Sequence, residues 1–182
     1  MTGFVWSLLR CWGFFLTAPL AVVLGLLGGY AGSASAAIPT LRLPIPVPTL
    51  LPVVVVLVLS WTVHDRWSTV TAAAVRPRWQ LAVTRFLVTT VVCCTAVAIG
   101  TLGHGYSEPV AVTAIGTSLV AVAAVAIGRR TWILILIGGY LWLRYAVWQT
   151  VGAVVPHDRA TAAAAVVSAA AILATTTAVH DS

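Results

Sequence analysis

The chain has 182 residues, of which 60% are hydrophobic and only 8% are charged. Water-soluble domains carry about 25% charged residues, so this composition excludes an ordinary soluble domain and is typical of a membrane protein. The net charge of +6 comes from ten Arg residues, with no Lys. In so apolar a chain we expect these cations to lie at the cytoplasmic membrane face and not to bind nucleic acid.

Six apolar segments approach or reach the length of about 20 residues that a helix needs to cross a bilayer. They cover residues 11–31, 46–63, 79–102, 109–127, 132–154 and 160–179. We therefore predict an all-α fold, with residues 1–182 forming one polytopic transmembrane domain of six helices. The Pro-rich connection over residues 32–48 is expected to be extended and to lie outside the membrane.

The first segment has a second interpretation. A basic start, an apolar run and the sequence "AGSASAA" resemble a signal peptide with a cleavage site at Ala34–Ala36. The apolar run is longer than the usual signal-peptide core of about 7–15 residues. We therefore expect residues 1–36 to be retained and to contain the first transmembrane helix.

The distribution of Arg predicts the orientation in the membrane. If the N-terminus is cytoplasmic, the loops on the outer side contain only Arg42 and Arg159. The cytoplasmic side then contains the larger group, with Arg85 just within the third helix: Arg10, Arg66, Arg76, Arg78, Arg85, Arg129 and Arg130. The positive-inside rule thus places both termini in the cytoplasm. The Ala, Val and Arg bias is typical of a bacterium, so we expect a multi-pass protein of the bacterial plasma membrane.

Charged residues frame an uncharged segment between the second and third helices. Ser68 or Thr69 can cap a short helix, the Ala run that follows favours it, and Arg76-Pro77 ends it. We predict a helix over residues 68–75 at the cytoplasmic face, where a partner's groove can accept its small side chains. An ordinary basic loop is the other interpretation. The candidate docking residues are Asp65, Arg66, Trp67, Ser68, Ala72, Ala73, Arg76, Pro77 and Arg78.

Arg144 is predicted to lie well inside the fifth segment. An Arg at the centre of a transmembrane helix costs about 2.5–3.5 kcal/mol on insertion scales. Its side chain either extends to the outer membrane interface or faces a central cavity. The candidate cavity residues are Tyr140, Arg144, Trp148 and Gln149.

The motifs of catalysis are missing from the sequence. A chain without Lys has no P-loop lysine, and no G-x-S-x-G elbow is present. His104, Ser107 and Glu108 are neighbours in one turn and do not suit a catalytic triad. We therefore expect no catalytic residue, no metal site and no cofactor in this chain, and ATP and magnesium would be bound by a partner.

The stretch "HDRWSTVTAAAVRPRWQLAVTRFL" resembles the junction between the second and third helices of ABC-2 type exporter permeases. The resemblance implies a charged pair at Asp65 and Arg66, a coupling helix over residues 68–75, an entry to the third helix from Arg76 and a basic residue at Arg85. It also implies six helices with both termini cytoplasmic, a second permease of the same or a different chain, and separate cytoplasmic ATPase subunits. Such a dimer moves an amphipathic or hydrophobic small molecule, peptide or lipid-like substrate outward.

Two departures separate the chain from that family. The segment before the first helix has only about ten residues, and the outer loop "VVPHDR" leaves little room for a re-entrant hairpin. Two alternatives therefore stay open. One is the substrate-capturing subunit of a vitamin or metal uptake transporter, and the other is a structural or assembly subunit of a membrane complex.

Overall fold

A computed structural model gives the fold of most of the chain. It describes residues 13–32, 34–37, 44–63, 78–102, 108–127, 130–149 and 159–179. At some helix ends it describes the backbone alone, namely at residues 61–63, 78, 108, 126–127, 145–149, 159 and 177–179. Six helices lie in the described ranges: α1 (Phe14–Tyr30), α2 (Val47–Val63), α3 (Arg78–Thr101), α4 (Glu108–Ile127), α5 (Thr131–Gln149) and α6 (Arg159–Val179). The predicted all-α class is confirmed.

Glycine and proline mark the starts of several helices. Gly13 precedes α1 with a φ of 76°, a left-handed conformation that a residue without a Cβ adopts at little cost. The Thr17 hydroxyl donates a hydrogen bond to the Gly13 carbonyl oxygen at 3.0 Å and ties down the first turn. Pro48 in α2 and Pro109 in α4 lie in first turns, where a backbone N–H has no partner within the helix.

A small antiparallel ladder closes the connection between α1 and α2. Strand β1 (Ser35–Ala36) pairs with strand β2 (Ile45–Pro46), with Ala36 opposite Ile45. The Val47 N–H donates a hydrogen bond to the Ala34 carbonyl oxygen at 3.1 Å. The sequence predicts only an extended segment here, and the ladder joins the two ends of that segment.

The third helix lies at the centre of the bundle. It packs against α1, α2, α4 and α6, whereas α5 packs against α2 and α4. The largest apolar cluster joins the first three helices through side chains such as Phe14, Leu59 and Leu81. Phe86 and Leu173 belong to a second cluster, which joins α3, α4 and α6. Each of the first four helices therefore packs against the helix that follows it in the chain.

One helix is long and apolar enough to cross a membrane, among the residues whose side chains are described. It covers Trp79–Thr101, with 23 residues. The other apolar stretches have 10–17 residues: Phe14–Tyr30, Val47–Ser60, Pro109–Val125, Thr131–Arg144 and Ala160–Thr176. A 17-residue helix rises about 26 Å, less than a hydrocarbon core of about 30 Å. By this criterion the prediction of six spans is not supported, because the described apolar stretches are shorter than the predicted segments.

The outside of the bundle is covered by large apolar side chains. Among the described side chains, twenty-four of them are exposed, and each of the six helices carries some. Leu16 on α1, Leu119 on α4 and Val167 on α6 are 78%, 66% and 69% exposed. In the same described part of the chain, the buried polar side chains are Thr17, Arg85, Thr89, Thr90, Thr101, Thr113, Thr117, Ser118 and Thr131. A water-soluble bundle places polar side chains on its outer faces, so this surface suits a nonpolar medium.

The first and third helices approach closely at two glycines. A Cβ on Gly25 would collide with the Ala96 carbonyl oxygen, and a Cβ on Gly100 would lie 2.8 Å from the Gly25 carbonyl oxygen. A Cβ on Gly138 of α5 would meet no heavy atom within 4 Å. Residues without side chains at positions 25 and 100 therefore permit the observed separation of α1 and α3.

We expect Gly25→Ala to lower the thermal unfolding midpoint of the detergent-solubilised protein. The added methyl group meets backbone atoms that cannot rotate away, and overpacking of this kind costs about 1–3 kcal/mol. Gly138→Ala is the matched control, because its methyl group enters open space and Ala has the higher helix propensity. Circular dichroism melting measures both variants. An equal loss of stability in the two would contradict the close approach of α1 and α3.

Candidate functional site

Arg85 is a charged side chain buried within the bundle. It is only 7% exposed, and it follows Arg78 at the start of α3 by seven residues, or about 10 Å along the helix. Leu81, Val88 and Val92 lie on the same face of α3 at intervals of three or four residues. These three side chains pack in the apolar cluster shared with α1 and α2, so Arg85 is on the face of α3 that meets those helices. A buried ionisable residue in an apolar helix is a functional-site candidate.

The burial of Arg85 could be predicted only in part from the sequence. Arg85 is predicted there as a basic residue just inside the third helix, which is compatible with a side chain at the membrane surface. Its burial depends on the approach of α1 and α2, which no local pattern reveals. The usable signal was the spacing from Leu81 to Val88, which puts Arg85 on an apolar face.

The buried hydroxyl groups near the centre are satisfied mainly within their own helices. The Thr89 hydroxyl donates to the Arg85 carbonyl oxygen at 2.8 Å, and Thr113 donates to the Pro109 carbonyl oxygen at 2.6 Å. Ser118 donates to the Ala114 carbonyl oxygen at 2.7 Å. Hydroxyls bonded in this way add polarity to the interior but present no reactive group.

A hydroxyl contact joins α3 to α4. Thr90 of α3 donates a hydrogen bond to the Thr117 hydroxyl of α4 at 3.2 Å, and Thr117 donates to the Ala114 carbonyl oxygen at 3.0 Å. The two hydroxyl protons therefore point in one direction along a short chain of hydrogen bonds. This chain fixes α3 against α4 on the side of α3 away from Arg85.

The described His, Cys, Asp and Glu side chains do not form a metal-type cluster. They include no group of three or more His, Cys, Asp or Glu residues that could hold a metal ion. Cys93 is completely buried, and the Cys94 sulfur lies 3.9 Å from the Val110 carbonyl oxygen. Both thiols fill space between helices, as expected for small apolar residues.

The predicted docking segment lies almost wholly outside the described residues. This applies to Asp65, Arg66, Trp67, Ser68, Ala72, Ala73, Arg76 and Pro77, while Arg78 is the first residue of α3. Leu51 near the start of α2 contacts the region of Gly100 near the end of α3, so the two helices are antiparallel. Residues 64–77 thus connect two adjacent helix ends at one end of the bundle.

The predicted cavity residues belong to α5, at the edge of the bundle. Tyr140 and Arg144 are exposed on a face that points away from α2 and α4, and the side chains of Trp148 and Gln149 lie outside the description. The structure does not bring Tyr140 and Arg144 into the interior of the chain. A cavity lined by these two side chains needs a second chain to close it, and this role stays a prediction.

We expect the Thr90–Thr117 hydrogen bond to stabilise the bundle. Thr90→Val, Thr117→Val and the double variant form a cycle, and the coupling free energy should be about 0.6 kcal/mol, as is typical for hydrogen bonds between transmembrane helices. Unfolding in mixed detergent and SDS measures it. Thr175→Val is the control, because Thr175 is exposed and bonds only within α6. The coupling free energy between Thr117→Val and Thr175→Val should be close to zero. A value as large as that between Thr117→Val and Thr90→Val would contradict the contact.

Comparison with known proteins adds no relative to this description. No family model, curated protein or solved structure matches the chain. The resemblance of residues 64–87 to the ABC-2 junction therefore stays a prediction.

Proposed function

We propose that the chain is a multi-pass permease subunit of an ATP-driven exporter in the bacterial plasma membrane. The observation that carries this proposal is the distribution of side chains: large apolar residues on the outside of all six helices, and hydroxyls with Arg85 inside. Each Leu, Ile or Val side chain favours a nonpolar medium by about 1.5–3 kcal/mol when fully transferred from water. Lipid tails provide that medium around the whole bundle.

The central place of α3 supports six spans in spite of the short helices. Trp79–Thr101 meets the length and composition of a spanning helix and is surrounded by α1, α2, α4 and α6. In this proposal, α3 crosses the bilayer together with the four helices that pack against it. Helices of 17 residues, such as α1 and α2, can span where the bilayer thins locally or where residues beyond the helix ends complete the crossing.

The position of residues 64–77 supports a coupling role. This segment joins α2 to α3, and these two helices contact most of the others. A partner ATPase that docks on it would pull on the centre of the bundle and not on a peripheral helix. ATP-driven closure of two ATPase subunits would then rock two permease chains between inward-open and outward-open states.

The position of Arg85 supports a polar substrate site in the half of the bundle next to the docking segment. Arg85 lies about 10 Å from the start of α3, the helix that begins directly after the docking segment. A guanidinium there can attract the anionic head of an amphipathic substrate, while the apolar surroundings suit its hydrophobic part. We therefore include Arg85 in the transport path and assign ATP and magnesium to the partner subunits.

We expect cysteine labelling in intact cells to follow the six-span orientation. In a variant whose native cysteines are replaced by Ala, Thr40→Cys and Tyr106→Cys should react with a membrane-impermeant maleimide. Ala72→Cys and Gly128→Cys should react only after the membrane is permeabilised, because we place them in the cytoplasm. Labelling of Thr40→Cys and Ala72→Cys from the same side would exclude six spans in this orientation.

We expect a tagged chain isolated from its native membrane in mild detergent to carry magnesium-dependent ATPase activity. Ala72→Arg or Ala73→Arg should remove this activity, since a bulky cation blocks a groove that accepts small side chains. Ala73→Ser is the matched control and should retain the activity. Arg85→Leu should keep the ATPase bound and change only its turnover, because Arg85 is buried inside the bundle.

The same measurement separates the exporter from its alternatives. If Ala72→Arg and Ala73→Arg keep the same amount of bound ATPase activity, docking through residues 68–75 is excluded. That result would favour a substrate-capturing subunit that binds its ATPase complex elsewhere. Wild-type protein with correct labelling but without any ATPase would overturn the exporter. It would favour a structural or assembly subunit.

A further inference from the structure

The fifth helix has one packed face and one uncovered face. Its packed face presents Ile135, Gly139 and Leu143 to α2 and α4, and a Cβ on Gly139 would lie 2.5 Å from a Val53 methyl group. The Trp142 indole N–H adds a hydrogen bond to the Thr49 carbonyl oxygen at 3.3 Å. These contacts fix the rotation of α5 about its axis and therefore determine which residues it turns outward.

The uncovered face carries a regular apolar row. Leu134, Ile137 and Leu141 are 40%, 52% and 58% exposed, and we call these three residues the outer seam. Their intervals of three and four residues are those at which one helix packs along another. Arg130 and Arg144 continue the same spacing at the two ends of the outer seam, and both side chains are exposed.

The two arginines have different surroundings in the proposed membrane. Arg130 precedes α5 at the cytoplasmic boundary, where cations are expected. Arg144 lies about 21 Å farther along the helix, at the end of the apolar stretch Thr131–Arg144 and five residues before α5 ends at Gln149. Within the described part of the chain, Arg144 forms no hydrogen bond or ion pair.

The direction of α5 makes the outer membrane surface hard for Arg144 to reach. Each Cα–Cβ bond in a helix tilts toward the helix N-terminus, which for α5 is the cytoplasmic end in the proposed orientation. The Cα–Cβ bond of Arg144 therefore points toward the middle of the bilayer. A cation in this position favours an anionic partner at the same depth.

The side chains that the structure describes include no carboxylate that could pair with Arg144. In the sequence, the four acidic residues lie at or beyond the ends of the apolar segments: Asp65, Glu108, Asp158 and Asp181. If two copies met through the outer seam around a two-fold axis, Arg144 would face Arg144 of the other copy. Like charges repel strongly in a medium of low dielectric constant, so a second copy is a poor occupant of this face.

We propose that the outer seam binds a transmembrane helix of a different polypeptide, one with an apolar row and an Asp or Glu at the depth of Arg144. Leu134, Ile137 and Leu141 supply the packing surface, and the carboxylate pairs with the guanidinium where water is scarce. The inference rests on the proposed function, because that function places the chain in a membrane. It also identifies the second permease of that proposal as a chain with a different sequence. It does not depend on ATP or on transport.

The test uses purified chain in phosphatidylcholine vesicles and synthetic transmembrane peptides. One peptide is a leucine-rich helix of about 20 residues with a single Asp placed at the depth of Arg144, and its control has Leu in that position. Energy transfer between a dye on the chain and a dye on the peptide measures association. We expect the Asp peptide to bind about tenfold more tightly than the Leu peptide, as expected for a paired charge within the membrane.

Variants then assign the binding to the outer seam. Arg144→Leu should remove the preference for the Asp peptide, and Arg144→Lys should keep most of it. Leu141→Ala should weaken the binding of both peptides. Val167→Ala on the exposed face of α6 is the matched control and should change the binding of neither peptide. Equal binding of the two peptides to the wild-type chain would overturn the proposal, as would a preference that survives in Arg144→Leu.

Two further readings come from the same vesicles. Energy transfer between two differently labelled copies of the chain that disappears in Leu141→Ala would show a second copy on this face and exclude the proposed partner. Flotation of the vesicles reports insertion before any peptide is added. A chain that does not insert would overturn the membrane setting, and with it both proposals, whereas normal insertion without Asp preference overturns only this one.

Discussion

The close contact between α1 and α3 is the constraint on which the rest of the bundle depends. Gly25 lies against the backbone at Ala96, so the two helices are separated by little more than their main chains. This leaves α3 near enough to α1, α2, α4 and α6 to contact all four. Lipid tails are as apolar as Leu side chains, so helices in a bilayer gain no hydrophobic free energy by associating. Close packing of their backbones then provides much of the attraction between them.

The central position of α3 brings the charged and hydroxyl-bearing residues of the chain together. Arg85 lies on the face toward α1 and α2, whereas Thr90 reaches α4 on another side of the same helix. The segment that precedes α3 is the one with the proposed coupling role. Movement of that segment would therefore be transmitted to the buried arginine without passing through a peripheral helix.

Much of the secondary structure could be predicted from the sequence, because its signals are local. Long apolar runs define the helices, and prolines such as Pro48 and Pro109 mark their first turns. The burial of Arg85 could not be predicted in the same way, since it depends on which helices cover that face of α3. Arg144 shows the same limit: its depth in the fifth segment is evident, but the position of α5 at the bundle edge decides that it faces outward.

The hydroxyl bonds within single helices have a mechanical consequence. Thr113 and Ser118 on α4 are bonded to carbonyl oxygens of their own helix, so they do not bind α4 to its neighbours. The Thr90–Thr117 hydrogen bond and the contact of the Cys94 sulfur with the Val110 carbonyl oxygen would both have to break if α3 and α4 moved past each other. The Thr113 and Ser118 hydroxyls would stay satisfied during such a movement, because their acceptors move with them.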